Sequence, residues 1–355
     1  MHRRDLLDLR NVARAAGHVL GVLDEFSLLP HDTIRTEQAA LLRLSRRAMA
    51  TTFEILLPYG TPNAMDIGAD AFDRLDALEA QLTVYRDSSE VSRLNRIAAY
   101  GPVPVEEGLF GLLRLAARIH AETDGAFDVT AGAIIKAWGF FKGPRRIPSE
   151  AERIEALGRV GTQFVELKPE TNAVKFLRPG LEINLGGIGK GYAMDRVAEY
   201  VRREWGVGSA LMHGGYSSVV AVGTPPGEPR GWQVGITHPW EPERRLATVW
   251  LRGRALGTSA ATFQYLEYNG QRLGHILDPR RVWAAAGIAS ATVVAPSGAE
   301  ADALSTAFFI EGVETARRYC AAHPGVGAVL LPEDAERPVL IGLDANDITL
   351  AACLA

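Results

Sequence analysis

Apolar positions along this chain alternate between a helical spacing of three to four residues and short runs with strand character. Leu6, Leu9, Val12, Ala13, Ala16, Val19, Leu20 and Leu23 recur at helical spacing, with Asp5, Asp8, Arg10 and Arg14 between them. That is the pattern of an amphipathic helix, expected to form an N-terminal extension over residues 1–40. A polar connector around His31 to Glu37 follows. Met49 to Pro58, rich in Thr, Phe and Ile and closed by Pro-Tyr-Gly, predicts a strand. Phe72, Leu75, Leu78 and Leu82 predict a helix over Ala64 to Leu82, and a second is expected over Leu109 to Ala121. Phe164 to Leu167 and Ala173 to Phe176 form a hairpin pattern around Pro169 to Asn172.

Next come a strand over Leu181 to Leu185, the Gly186-Gly187 turn, and a helix to about Arg203. Short strands with Gly and Pro turns fill Ala210 to Gly257. Ser290 to Ala295 and Ala328 to Leu331 read as strands, Glu300 to Ile310 and Glu314 to Ala322 as helices. Strict βα alternation is missing, which argues for an α+β fold rather than a doubly wound sheet. No internal boundary divides residues 45–345, so they are taken as one domain.

Composition narrows the class. At 355 residues, with 47% hydrophobic and 23% charged residues, the chain has the profile of a globular protein with a sizeable core. A net charge of −4 gives no reason to expect nucleic acid as a partner. Two cysteines, Cys320 and Cys353, are too few for a disulfide framework or a thiolate metal site. No stretch has the ~20 apolar residues of a transmembrane segment. Arg3-Arg4 is followed by charges rather than a continuous apolar run, and no early cysteine could take a lipid, so a cytoplasmic location is expected.

Four segments could carry chemistry. In Asn184-Leu-Gly-Gly-Ile-Gly-Lys190-Gly-Tyr, glycines between strand and helix allow close backbone approach, and Lys190 adds a point charge suited to phosphate. It fits neither the Walker spacing nor G-x-G-x-x-G, and tight strand–helix packing accounts for such glycines equally well. In Ala301-Asp302-Ala-Leu-Ser-Thr306, helical spacing puts a carboxylate and a hydroxyl one turn apart, the hard-oxygen pair that magnesium accepts. A helix-start Asp and a back-bonding Thr would look the same. His275 in Gly274-His-Ile-Leu-Asp278-Pro279 could abstract a proton near neutrality or simply precede a turn. Thr123-Asp-Gly-Ala-Phe127-Asp128-Val-Thr130 reads alone as a glycine turn entering an apolar segment.

Their order along the chain resembles the FAD:protein FMN transferase family, known as ApbE. The matching blocks start at Met49-Ala-Thr-Thr-Phe and run through Leu82-Thr-Val-Tyr85-Arg, Ser89-Glu-Val-Ser-Arg-Leu-Asn95, and Gly125-Ala-Phe-Asp128-Val-Thr130 with Trp138-Gly-Phe140. They continue through Asn184 to Asp195, Gly214-Gly215, Thr258-Ser259 and His275-Ile-Leu-Asp-Pro279, and close at Ala301 to Ala307.

The resemblance implies a T-fold-like arrangement of mixed sheets flanked by helices. It implies that Met49, Tyr85, Ala126, Phe127, Asp128, Asn184, Lys190 and the backbone at Leu277 line FAD. It further implies magnesium held by Asp302, Thr306 and the carbonyl of Gly187, with His275 as the base. The activity implied is magnesium-dependent cleavage of FAD, placing FMN on a Ser or Thr hydroxyl of an acceptor flavoprotein and releasing AMP. Hydrolysis of FAD to FMN and AMP, and FAD binding without chemistry, are the alternatives. The chain departs from the family where many members have Asp in place of Asn184. It also reads Asp278-Pro-Arg-Arg-Val282 for the usual Asp-Pro-Arg-Thr-Gly, and Ala260 for the glycine usual after Ser259.

Overall fold

Three runs, Ser218–Val222, Ile288–Ala295 and Gly327–Pro332, are apolar at nearly every position rather than at every second one. A strand of that kind needs cover on both faces of its sheet. The computed structural model describes residues 40–351 except 216, 261–264 and 269, and it supplies that cover. The expected N-terminal helix lies outside the described residues.

One eight-stranded sheet runs in chain order: β1 (Leu41–Ala48), β2 (Thr51–Pro58), β3 (Ala210–Gly214), β4 (Ser218–Val222), β5 (Ala255–Ala260), β6 (Ile288–Ala295), β7 (Gly327–Pro332) and β8 (Val339–Ile341). Every neighbouring pair is antiparallel. The α+β class is borne out.

Six helices are inserted between β2 and β3: α1 (Ala64–Leu82), α2 (Glu90–Ile97), α3 (Glu107–Glu122), α4 (Gly132–Ala137), α5 (Glu150–Leu157) and α6 (Gly189–Trp205). Two more, α7 (Gly298–Glu311) and α8 (Val313–Ala322), lie between β6 and β7. On one face of the sheet the main core joins α1, α2, α3, α6, α7 and α8 to Ile55, Met212, Val220, Ala291, Val293 and Leu330, while α4 and α5 pack in a separate small core through Ile134 and Ala156. On the other face a three-stranded sheet, Trp232–Thr237, Arg245–Leu251 and Ile348–Leu350, buries Leu211, Val219, Ala221, Leu256, Val294 and Val329. Neighbours in sequence thus enter different cores, as a period of two requires.

Helix α7 is buried almost all round, from Gly298 through Phe309, as expected of a helix without a polar face. Glycines let it approach its neighbours. A Cβ on Gly191 would stand 2.0 Å from the carbonyl oxygen of Gly298, and one on Gly257 would stand 2.5 Å from the carbonyl carbon of Ala301.

Some expectations are corrected. The strand expected from Met49 begins at Thr51, because Met49 and Ala50 form the turn with φ of 48° and 61°. The partner β1 was not anticipated: its Arg43, Arg46 and Arg47 obscure the alternation of an edge strand. The folded body also passes both edges of 45–345, since β1 begins at Leu41 and Ile348–Leu350 pairs with Arg245–Leu251. Leu181 to Leu185 is extended without a ladder and makes a single bridge, Ala131 to Glu182. The side-chain amide of Asn95 takes a strand neighbour's place, accepting from Ile183 N and donating to Ile183 O, each at 2.8 Å. Among the described residues no helix is long and apolar enough to cross a membrane.

Candidate active site

The start of α6 and the first two turns of α7 cap one another. Orphan N–H groups of a helix start need acceptors. Asp302 Oδ2, from α7, accepts from Gly191 N at 2.8 Å. Asp195, from α6, accepts from Gly298 N at 2.7 Å and Ala299 N at 2.9 Å. The contact between Gly191 and Gly298 makes the exchange possible.

Asp302 is buried, and burial pushes its carboxyl pKa up; the Lys190 charge, the Ser218 hydroxyl and the Gly191 N–H pull the other way. Asp195 is pushed up to about 6, first by burial and then by the charges of Asp302 and Glu300, against its two N–H bonds.

Five of the expected residues meet here: Asp302, Thr306, Gly187, Phe127 and Lys190. Thr306 stands one turn beyond Asp302, and its Oγ1 is 3.3 Å from Asp302 O. A Cβ on Gly187 would lie 3.5 Å from Thr306 Oγ1 and 3.3 Å from the Phe127 ring, so the bare glycine leaves a cradle between them. Lys190 acts on the Asp302 carboxylate from the first turn of α6. A carboxylate, a hydroxyl and a backbone carbonyl are hard-oxygen donors that fit magnesium with substrate phosphates in the remaining positions. Among the described residues no three His, Cys, Asp or Glu side chains gather as a metal site, which a set with one carboxylate does not require.

A cleft of about 320 Å³ opens beside the glycine turn, lined by Asn95, Lys136, Phe141, Glu182, Ile183 and Asn184 among others. Asn184 Oδ1 accepts from Gly186 N at 2.9 Å. Tyr85, more than half exposed, stacks on Phe141 with ring centroids 4.9 Å apart. Met49 joins the same end of α1 through its N–H, which donates to Glu79 Oε2 at 2.8 Å.

The Ala126–Asp128 turn is buried, and Asp128 is already engaged. It accepts from Thr130 N and Oγ1 and from Thr162 Oγ1 at 2.6–2.8 Å, and it pairs with His120 at 3.2 Å. Burial would raise its pKa, but His120 and Thr130 hold it below the usual range. Its side chain ties the turn together.

His275 is exposed, between the strands Gln271–Gly274 and Leu277–Asp278. Leu277 is buried with Ile134, Trp138 and Val282 in a third small core. Arg280 bonds Asp278 at 2.8 Å, pairs with Glu311 at the end of α7, and reaches Asp124 O at 3.4 Å. The His275 hairpin is thereby tied to the segment before Ala126. Val282 sits at φ 52°, a conformation that favours glycine, with its carbonyl accepting from Trp138 Nε1 at 3.3 Å.

Nothing local in the sequence marks Ser218, Ser305, Phe141, the structural role of Asp195 or the packing of Gly191 against α7. Isolated serines carry no spacing signal, and Gly191 and Asp195 acquire their roles only from α7.

The ApbE family model matches residues 49–330. This chain belongs to the ApbE family. An FAD:protein FMN transferase of Salmonella typhimurium is 30% identical over 322 residues, covering 87% of this chain and 88% of the relative. Among solved structures, the ApbE protein of Thermotoga maritima superposes with a TM-score of 0.77 at 26% identity, covering 85% of this chain and 97% of that one. The flavinyl transferase ApbE of Pseudomonas stutzeri, in its apo form, gives 0.73 at 26% identity over 85% and 94%.

Proposed function

We propose that this ApbE-family chain is an FAD:protein FMN transferase that uses magnesium and places FMN on a Ser or Thr hydroxyl of an acceptor flavoprotein. The observation that carries the reading is the buried Asp302 beside Lys190, with Thr306 one turn further on and against the Gly187 cradle. Magnesium would be held by Asp302, Thr306 and the Gly187 carbonyl, and when bound it neutralises charge on the pyrophosphate. Lys190 binds the same anion from the other side as a point charge. Met49, Tyr85, Asn184, the Ala126–Asp128 turn and the Leu277 backbone position the rest of FAD. His275 takes the proton of the acceptor hydroxyl, whose oxygen bonds to the FMN-side phosphorus. The bond from that phosphorus to the bridging oxygen breaks, and AMP leaves with that oxygen. Positioning and fixed charge do most of the work.

Incubation with FAD, magnesium and candidate acceptors, followed by mass spectrometry, tests the reading. The expected result is an acceptor mass gain equal to FMN minus water, abolished in His275→Ala although that variant still binds FAD. Free FMN without labelled acceptor would point to hydrolysis, and unchanged FAD to a binding protein. Wild-type transfer by His275→Ala would remove the proposed base.

A further inference from the structure

Strand β5 runs beside α7 so that two of its residues face successive helical turns. Two residues of strand advance about 6.8 Å, and four residues of helix about 6 Å, so the two repeats stay in step. Gly257 meets Ala301 and Asp302, and Ser259 meets Ser305 and Thr306. Ser259 and Ser305 are both buried, with no role in the chemistry described above.

Their hydroxyls form a chain whose direction can be assigned. Each hydroxyl has one proton to donate. Ser305 Oγ donates to Asp302 O at 2.9 Å, which uses its proton. The contact of 2.9 Å between Ser259 Oγ and Ser305 Oγ therefore requires Ser259 to donate. The contact of 3.3 Å between Ser259 Oγ and Thr306 Oγ1 then requires Thr306 to donate. Among the described residues Thr306 has one other acceptor within reach, Asp302 O, also at 3.3 Å; Ser305 already donates to that carbonyl at shorter range, which leaves Ser259 Oγ as the less crowded acceptor.

We infer that Ser259 and Ser305 are positioning residues, a hydroxyl relay that draws the Thr306 proton toward β5 and leaves its oxygen lone pairs facing the Gly187 cradle. The inference rests on the reading of Asp302 and Thr306 as magnesium ligands. A hydroxyl can give a lone pair to a cation only when its hydrogen points elsewhere, and groups that orient a ligand in this way govern metal affinity without touching the metal. Breaking either link undoes the relay. Ser259→Ala removes the acceptor, and Ser305→Ala lets Ser259 turn and donate to Thr306.

Calorimetric titration of MgCl2 into the FAD-bound full-length protein, without acceptor, tests the relay, with the magnesium-dependent rise in Tm as a second readout. Ser259→Ala and Ser305→Ala are each expected to weaken magnesium binding about tenfold. The double variant should be no weaker than the worse single one, because one chain is cut twice. Magnesium affinity within twofold of wild type in Ser259→Ala, or losses that simply add, would overturn the relay. Thr306→Ala separates the two levels of the argument. If it binds magnesium like wild type, the ligand assignment fails and the relay with it; if it alone loses binding, only the relay fails. Ser305→Ala keeps the test open should Ser259→Ala not fold.

Discussion

At the residue scale, buried carboxylates define the site's electrostatics. Asp195 is held at about 6, above the ordinary value of 3.8, by burial and by the charges of Asp302 and Glu300. A folded-state pKa above the unfolded one means that the native protein binds more protons between the two values. Stability contributed by this group therefore falls as pH rises from about 4 to about 6. At roughly 1.4 kcal/mol per pKa unit, the drop is about 3 kcal/mol at most. Asp195→Asn keeps an acceptor for one of the two N–H groups of Gly298 and Ala299, at a constant cost for the other, and does not titrate. Its urea-melt stability relative to wild type is expected to improve across that window and level off above it. A difference independent of pH would show that Asp195 does not titrate there. Asp128 has the opposite sign: its lowered pKa adds stability that is lost as acid protonates it.

At the element scale, the crossing of α6 and α7 sets the site. Their reciprocal caps hold only while the Gly191 and Gly298 backbones touch. Gly191→Ala would place a methyl 2.0 Å from a carbonyl oxygen, within backbone that cannot yield. A loss of about 3 kcal/mol or more is expected in urea melts, with magnesium-dependent transfer lost alongside because Asp302 moves. Gly111 provides the contrast, since it is exposed on α3 with nothing within 4 Å of an added Cβ. Gly111→Ala should raise stability by about 0.5–1 kcal/mol, the helix-propensity difference. Destabilisation by Gly111→Ala would mean that the α3 surface has a partner.

At the scale of the molecule, the main sheet separates two cores. Most of the helices and the Asp302 site pack on one face, and the small sheet with Trp232 packs on the other. Trp232 is buried, and its Nε1 donates to Val222 O at 3.2 Å. Trp232→Ala is expected to cost about 3–5 kcal/mol. FAD affinity, measured below the lowered Tm, should stay within about twofold of wild type. A large loss of affinity in folded protein would show that the two faces are coupled.

How much of this was legible in the chain depended on whether a signal was local. Local patterns marked α1, α3 and α6 as helices and Ser290 to Ala295 as a strand, because burial selects residue types over short windows. Asp302 and Thr306 could be paired from their spacing, since four residues on a helix share a face. The motif order along the chain pointed to the family. Edge strand β1 stayed hidden behind its arginines, and Leu181 to Leu185 looked like a ladder strand although Asn95 supplies its neighbour. Which hydroxyl faces Thr306, which carboxylate caps which helix, and that Asp128 serves its own turn were decided by tertiary structure alone. The first two relations join residues 47 to 111 positions apart, and Asp128 reaches Thr162 across 34; hydrogen bonds at that separation leave no periodicity in the sequence that makes them.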